Sequence, residues 1–381
     1  MSTRWGVLGV GQYADRHLIP AINQSADNEL IAVCHYKQEK AVFFAKRNNA
    51  KRSYTSLEEM LRDPEIDVVA ICTPVNQHKD QALQAIQAGK HTWIEMPLEV
   101  SIDAAKAIVE AGIKSGVKIA TGFQWGFHPA HMEMRRLIGS GDVGDIDFAE
   151  AHLSLPWGGG ILGGQTYWKI PERPNVEYVG ARKWTENPKA RGGNATVHAG
   201  IAIYLLRSIL RREIEEVAAF TDASEDPEGR EHKVDVLLKF EGGLFTFVHS
   251  SHECIFDDNS ITIYGTKGRL RAIGTTGLGT VGTLETFKAQ GPGLLVDVEK
   301  KAPKFDTVFG KHWEGERCVK RVEYVDANMY VDAIEAFAKC LEEDTEPLNS
   351  GLDGLREREI QWAIMESSRT GRVTKVPISR Y

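Results

Sequence analysis

Cysteine is scarce in this 381-residue chain: Cys34, Cys72, Cys254, Cys318 and Cys340 are the full set, an odd number with no C-x-x-C pair. Such a set argues against a disulfide framework and a cysteine-based zinc site, so no metal is expected, and it fits reduced thiols in a cytoplasmic protein. Long apolar runs are also missing. None approaches the roughly 20 residues of a membrane span, and Met1-Ser-Thr-Arg4 leads straight into a strand-like run without a signal-peptide stretch. Neither charge sign dominates: 46 Lys and Arg are interspersed with 53 Asp and Glu, for a net charge of -7. That balance argues against nucleic acid or an anionic membrane as partner. There is no internal repeat and no low-complexity segment.

What is present is a chain 42% hydrophobic and long enough for two domains. The stretch that organises it is Trp5-Gly-Val-Leu-Gly-Val-Gly-Gln-Tyr-Ala14. Gly9, Gly11 and Ala14 stand in G-x-G-x-x-A spacing between an apolar run and an amphipathic one, the pattern of a dinucleotide-binding strand-turn-helix. Gly9 permits the tight turn, Gly11 lets backbone approach a pyrophosphate, and Ala14 lets helix and strand pack closely. Glu29 to Cys34 reads as a second buried strand, followed by His35-Tyr-Lys37 where enzymes preferring NAD commonly carry an acid. A cationic His35/Lys37 pair would accept a 2'-phosphate, which leans towards NADP over NAD; the alternative is a solvated loop.

Ser56-Leu-Glu-Glu59 reads as a capping box, and Asp67 to Cys72 as a strand ending in Thr73-Pro74, with Asn76 and His78 opening the next helix. His91 to Ile94 is a strand closed by Glu95-Met96-Pro97, Ser101 caps a helix from Ile102 to Ser115, and Val117 to Thr121 completes five strands. Strands alternating with helices predict an α/β doubly wound parallel sheet over residues 1–122. From Gly144 the pattern changes to longer strands, with hairpin signals at Gly242-Gly243 and Gly265-Thr-Lys-Gly268. Residues 123–381 are therefore expected to form an α+β domain on one open antiparallel sheet. Helices are expected at Ala195 to Leu210, Asn328 to Leu341 and Leu355 to Ser368, the last packing back on the first domain.

The order G-x-G-x-x-A, Thr-Pro-x-x-x-His, Ala88-Gly-Lys-His91, Glu-x-Pro resembles the glucose-fructose oxidoreductase/inositol dehydrogenase/rhizopine-catabolism family, Gfo/Idh/MocA. Gly122-Phe-Gln and His128-Pro resemble its bridge into the second domain. The resemblance implies a Rossmann domain and an NAD(P)-dependent oxidoreductase. It implies a carbohydrate substrate and association as a homodimer or homotetramer through the second sheet. Cofactor contacts are then expected from Gly9, Gly11, Gln12, Tyr13, Ala14, His35, Lys37, Thr73, Pro74, Asn76, His78, Glu95 and Met96.

The reactive positions depart from the family. Glu95-Met96-Pro97 puts a thioether where the family's Glu-Lys-Pro has lysine. Gly192-Gly-Asn-Ala-Thr-Val-His-Ala-Gly-Ile-Ala202 aligns with the family's Gly-Gly-Gly-x-x-x-Asp-x-Gly-x-His, so His198 replaces the aspartate and Ala202 the histidine. His198 is left as the candidate general base, with a capping or core histidine as the alternative. The aromatic-rich stretch 154–194, with Trp157, Tyr167, Trp168, Tyr178 and Arg182-Lys183-Trp184, suits a polyhydroxylated ligand or a subunit interface. Candidate substrate contacts are Trp125, Tyr167, Trp168, Lys183, Trp184 and Asn194. The expected reaction is oxidation of a secondary hydroxyl of a sugar, glycoside or cyclitol. Alternatives are a redox-neutral glycosidase acting through C3 oxidation, since that branch also lacks the lysine, and a non-catalytic nucleotide- or sugar-binding regulator.

Overall fold

The computed structural model describes residues 2–154, 198–222, 231–251, 259–275, 282–288, 318–324 and 327–379. In the first part six strands form: β1 (Thr3–Leu8), β2 (Asn28–Cys34), β3 (Arg52–Tyr54), β4 (Val68–Ile71), β5 (His91–Ile94) and β6 (Ile119–Thr121). All pair in parallel, in the order β3-β2-β1-β4-β5-β6. The order reverses between β1 and β4, which opens a crevice at the carboxyl ends of the strands. The apolar runs of β1, β2, β4 and β5 are buried on both faces, as a sheet covered on two sides requires. The sixth strand, β3, is a correction to the five expected. Its Arg-Ser-Tyr sequence carries no apolar run to mark it.

Helices α1 (Ile19–Gln24), α2 (Gln38–Arg47), α3 (Leu57–Leu61), α4 (His78–Gln87) and α5 (Ile102–Ser115) connect these strands. Ser101 caps α5 as expected, accepting from the Ala104 N–H at 3.1 Å, and Gly116 ends it in the left-handed region at φ 68°. Ser56 stands at the start of α3 without a side-chain bond, so the expected capping box does not form.

Past α6 (Pro129–Gly139) comes β7 (Ile146–Ser154), then α7 (Gly200–Leu210) and the strands β8 (Ile214–Thr221), β9 (Lys233–Phe240) and β10 (Phe245–Ser251). Next are β11 (Ser260–Gly265), β12 (Gly268–Ile273), β13 (Gly282–Lys288) and β14 (Cys318–Tyr324). Helices α8 (Met329–Glu343) and α9 (Gly351–Thr370) and a short β15 (Thr374–Lys375) complete the described part. The nine strands order as β14-β13-β12-β11-β7-β10-β9-β8-β15. The hairpins expected at Gly242-Gly243 and at Thr266-Lys267 are present, joining β9 to β10 and β11 to β12. The sheet is mixed, not purely antiparallel as expected: β7 and β10 run parallel, because a long connection separates them in the chain.

One face of this sheet is apolar and covered. Ala149, Ala151, Leu153, Val234, Val236, Leu238 and Phe240 share one core with buried residues of α7, α8 and α9. The opposite face carries Phe148, Phe220, Leu237, Phe245 and Phe247 at partly or fully exposed positions.

The two parts are joined tightly. Asn349 and Ser350 lie along β6: the Thr121 N–H donates to the Asn349 carbonyl at 2.6 Å, and the Thr121 hydroxyl to the Ser350 carbonyl at 3.1 Å. Helix α9 then runs back over α5. A Cβ at Gly354 would lie 2.7 Å from Thr121 Oγ1 and 2.8 Å from Leu98 Cβ, so only glycine permits this approach. Helix α8 packs Phe337 edge-on against Trp5 and Trp93, with ring centroids 6.0 and 6.1 Å apart. The Trp5 indole in turn donates to Asn28 Oδ1 at 2.7 Å.

Candidate active site

The turn after β1 is built as a cradle. Gly9 adopts φ 83°, and a Cβ there would sit 2.7 Å from Thr73 Cγ2 and 2.9 Å from the Cys72 carbonyl. Gly11 is exposed, with open space where its Cβ would be. The Gly11 N–H donates to the Gly9 carbonyl at 2.8 Å and the Asp15 N–H to that of Gly11 at 3.0 Å, which sets the amides between them at a helix N-terminus. Gln12 and Tyr13 stand in this first turn, and Ala14 is fully buried beneath it. These features fit a dinucleotide pyrophosphate.

Across the crevice, Thr73 and Pro74 edge the loop after β4, and Asn76 is exposed on the short turn that follows. His78 is a correction. It was expected at the cofactor, yet it is buried with Nε2 2.9 Å from the Thr73 carbonyl and Nδ1 3.2 Å from that of Leu98. Its ring holds the loop from beneath. The expected cationic pair after β2 is also corrected: His35 Nδ1 accepts the Lys37 N–H at 3.0 Å, and burial lowers the ring's pKa. Lys37 is therefore the cation there, with its ammonium 5.8 Å from the ring centre of the exposed Tyr36.

At the end of β5 the Trp93 indole donates to Glu95 Oε1 at 2.8 Å. Glu95 retains some accessible surface as a residue, but protein surrounds its carboxyl densely. This desolvation pushes its pKa up to about 8 against donation from Trp93, Tyr13 and the Met96 N–H. Gly122 closes in from β6, where a Cβ would meet Glu95 Oε2 at 2.5 Å. Burial and the Glu95 charge raise both the Tyr13 and Tyr330 phenols. Those two rings lie 6.2 Å apart, and His17 stacks on Tyr330 at 5.1 Å. Burial lowers His17 to about 4, so it is neutral. Among the described residues Glu95 has no ion-pair partner. Met96, beside it, is half-buried against the core.

The hydroxyls of Tyr13 and Tyr330, both amide atoms of Gln124 and the indole N–H of Trp125 are enclosed here, the Tyr13 hydroxyl facing Glu95 and that of Tyr330 facing Gln124. These four side chains come from the glycine turn, from α8 and from the bridge after β6. Trp125 is buried in that bridge. Helix α7 lies over the same bridge, its Tyr204 stacking on Phe123 at 4.3 Å between ring centres. His198 is buried in a π-type turn just before α7. Tyr167, Trp168, Lys183, Trp184 and Asn194 lie outside the described residues.

Sequence reasoning missed Gln124, Tyr330 and the state of Glu95. Tyr330 had one signal, a polar-tipped aromatic in the first buried turn after the Asn328 cap, but no spacing connects it to Glu95.

Residues 3–123 match the family model described as oxidoreductase family, NAD-binding Rossmann fold, and residues 131–271 match the GFO/IDH/MocA C-terminal domain. The chain belongs to the Gfo/Idh/MocA oxidoreductase family. It is 26% identical over 377 residues to a 1,5-anhydro-D-fructose reductase of Ensifer adhaerens, covering 98% of each chain. It is 24% identical over 277 residues to a myo-inositol 2-dehydrogenase of Thermotoga maritima, covering 71% of this chain and 75% of that one. In fold it is similar to levoglucosan dehydrogenase in complex with NADH and L-sorbose, with a TM-score of 0.80, 18% identity and full coverage of both chains. An aldose-aldose oxidoreductase of Caulobacter crescentus complexed with glycerol superposes with a TM-score of 0.78 at 19% identity, covering 98% of this chain and all of that one. The Gfo/Idh/MocA oxidoreductase assignment is therefore carried by both halves of the chain.

Glu95 gives a signed prediction. Its folded pKa of about 8 lies above the ordinary 4.5, so between those values the folded protein holds a proton that the unfolded chain has lost. Stability from this group is complete below the lower value and is lost as pH rises through the upper one. Wild-type protein is expected to lose about 2 kcal/mol more than Glu95→Gln between pH 5 and pH 8, a value discounted for the residue's remaining exposure. Denaturant titrations at both pH values check it; parallel pH dependences would reject the neutral carboxyl.

Proposed function

We propose that this Gfo/Idh/MocA member is an NAD(P)-dependent oxidoreductase acting on a secondary hydroxyl, or the corresponding ketone, of a sugar, glycoside or cyclitol. The observation that carries it is the cluster of enclosed polar side chains, Tyr13, Gln124 and Tyr330, with the uncompensated carboxyl of Glu95, at the carboxyl end of the sheet and next to the glycine cradle. A polyhydroxylated ligand offers the donors and acceptors such groups need. The names of the relatives, which include an anhydrofructose reductase and an inositol dehydrogenase, support that substrate class.

In this reading Gly9, Gly11, Gln12, Tyr13 and Ala14 seat the pyrophosphate, and Thr73, Pro74 and Asn76 wall the opposite side. When bound, the nicotinamide supplies the hydride acceptor or donor. His198 takes the carbinol proton during oxidation and returns it during reduction. Glu95 and Met96 border the nicotinamide end, where a thioether replaces the family's lysine and the carboxyl beside it is neutral. Trp125 offers an apolar wall to one sugar face, joined by Tyr167, Trp168, Lys183, Trp184 and Asn194. Lys37, placed where the 2' substituent belongs, gives the preference for NADP. The protein works as a cytoplasmic homodimer or homotetramer through the outer face of the second sheet, where Phe220, Leu237 and Phe245 are 78%, 46% and 49% exposed. An apolar patch of that kind marks an interface.

His198→Ala is expected to lower turnover by about 10²- to 10⁴-fold while cofactor affinity, read by NAD(P)H fluorescence, stays within about twofold; normal turnover would remove His198 from the chemistry. Lys37→Ala is expected to weaken NADP binding by about tenfold, the worth of roughly 1.4 kcal/mol, and to leave NAD binding unchanged. An equal loss for both cofactors would show that Lys37 does not read the 2' position. Phe220→Asp combined with Phe245→Asp should yield a folded monomer in light scattering; an unchanged mass would place the interface elsewhere.

A further inference from the structure

A second cluster lies at the far end of α7, away from His198. The 11 residues of α7, Gly200–Leu210, at about 1.5 Å each, run from the His198 end to this one. Here α6, the end of α7, the β9–β10 turn and the start of α9 enclose a cleft of about 240 Å³. That is below the roughly 300 Å³ at which pockets for drug-sized ligands begin, so it suits a small ion. Its walls carry four arginines, Arg135, Arg207, Arg211 and Arg212, against three carboxylates.

The carboxylates are already engaged. Arg207 holds Glu213 through two bonds, 2.9 and 2.6 Å, and reaches Asp353 at 3.3 Å. Asp353 is also the capping partner of Ser350, accepting its N–H at 3.0 Å. Glu241 accepts the Glu213 N–H at 3.3 Å. Among the described residues, Arg135, Arg211 and Arg212 form no ion pair. Arg135 is half-buried, and its one side-chain bond is donation to Ser208 Oγ at 2.8 Å. Burial, and to a lesser degree Arg211, disfavour its charged form while Tyr204 and Asp353 favour it, and arginine does not deprotonate in proteins. Arg211 is fixed at the end of α7 in the left-handed region, φ 54°. Arg212 extends towards Gly242, its Nη1 3.8 Å from where a Cβ would stand. Three guanidinium forks without an ion-pair contact among the described residues thus border one small cleft whose four arginines outnumber its three carboxylates by one, an arrangement that a tetrahedral oxyanion completes through paired N–H donors.

We infer that this cleft is an oxyanion site for phosphate or a terminal phosphoryl group, separate from the cofactor cradle. The test is calorimetric titration of the whole protein with pyrophosphate and with inorganic phosphate, at constant ionic strength and with cofactor at saturation, so that the glycine cradle does not compete. Binding is expected for at least one of the two. Arg211→Gln with Arg212→Gln, both on the rim, is expected to weaken it at least tenfold, while NAD(P)H affinity stays within about twofold. Glu241→Gln, which removes a negative charge, should tighten it. No heat beyond a chloride control, or binding kept within twofold in the double variant, would overturn the site. Because the readout is anion heat and not turnover, its failure leaves the oxidoreductase reading untouched.

Discussion

The contact between Trp5, Trp93 and Phe337 fixes the site as well as the core. Trp93 packs edge-on between a strand of the first sheet and a helix from the second half, and the same indole presents its N–H to Glu95. Phe337 and Tyr330 lie on one helix two turns apart, so seating Phe337 against the tryptophans carries Tyr330 to the same carboxyl. Burying three large rings stabilises the joint by several kcal/mol. It also makes the geometry around Glu95 a consequence of packing rather than of loop position.

The backbone at the crevice is constrained in the same way. Gly9 approaches Thr73 and Cys72 more closely than a side chain would allow, Gly122 does so at Glu95, and Gly354 at Thr121 and Leu98. These three contacts draw the glycine turn, the end of β5 and the returning helix α9 onto one another. His78, bonded to two carbonyls, holds the Thr73 loop at that spacing. A site assembled by such contacts is pre-organised for its ligand, because the cost of ordering was met in folding.

Much of the fold was legible in the sequence. G-x-G-x-x-A, the apolar runs of β2, β4 and β5 and the Ser101 cap each act through neighbouring residues, and their elements stand where the sequence put them. Strand β3 and the parallel pairing of β7 with β10 were not legible, since short polar strands and non-local pairings leave no periodic trace. At the site, the tight turn at Gly9 and the open backbone at Gly11 were legible because both are local. Tyr330 was not, because its meaning depends on a helix more than 200 residues further along the chain. His78 misled for a related reason: a histidine after Thr-Pro reads as a ligand group until the carbonyls on both sides of its ring are known.

The substitution at Met96 and the state of Glu95 belong together. A lysine next to this glutamate, as in the family's Glu-Lys-Pro, would supply a counter-charge and hold the carboxylate ionised. With a thioether there, and with His17 neutral and only phenols and an indole facing it, the carboxyl lacks a cation and its proton is retained. The exchange therefore does more than delete a catalytic cation. It converts an acceptor-only anion into a group that donates one hydrogen bond and accepts another, one residue before the position where the family places its lysine. A site with that polarity favours a neutral, hydroxylated ligand over an anionic one, because a bound anion would find no cation among these described groups to offset its desolvation.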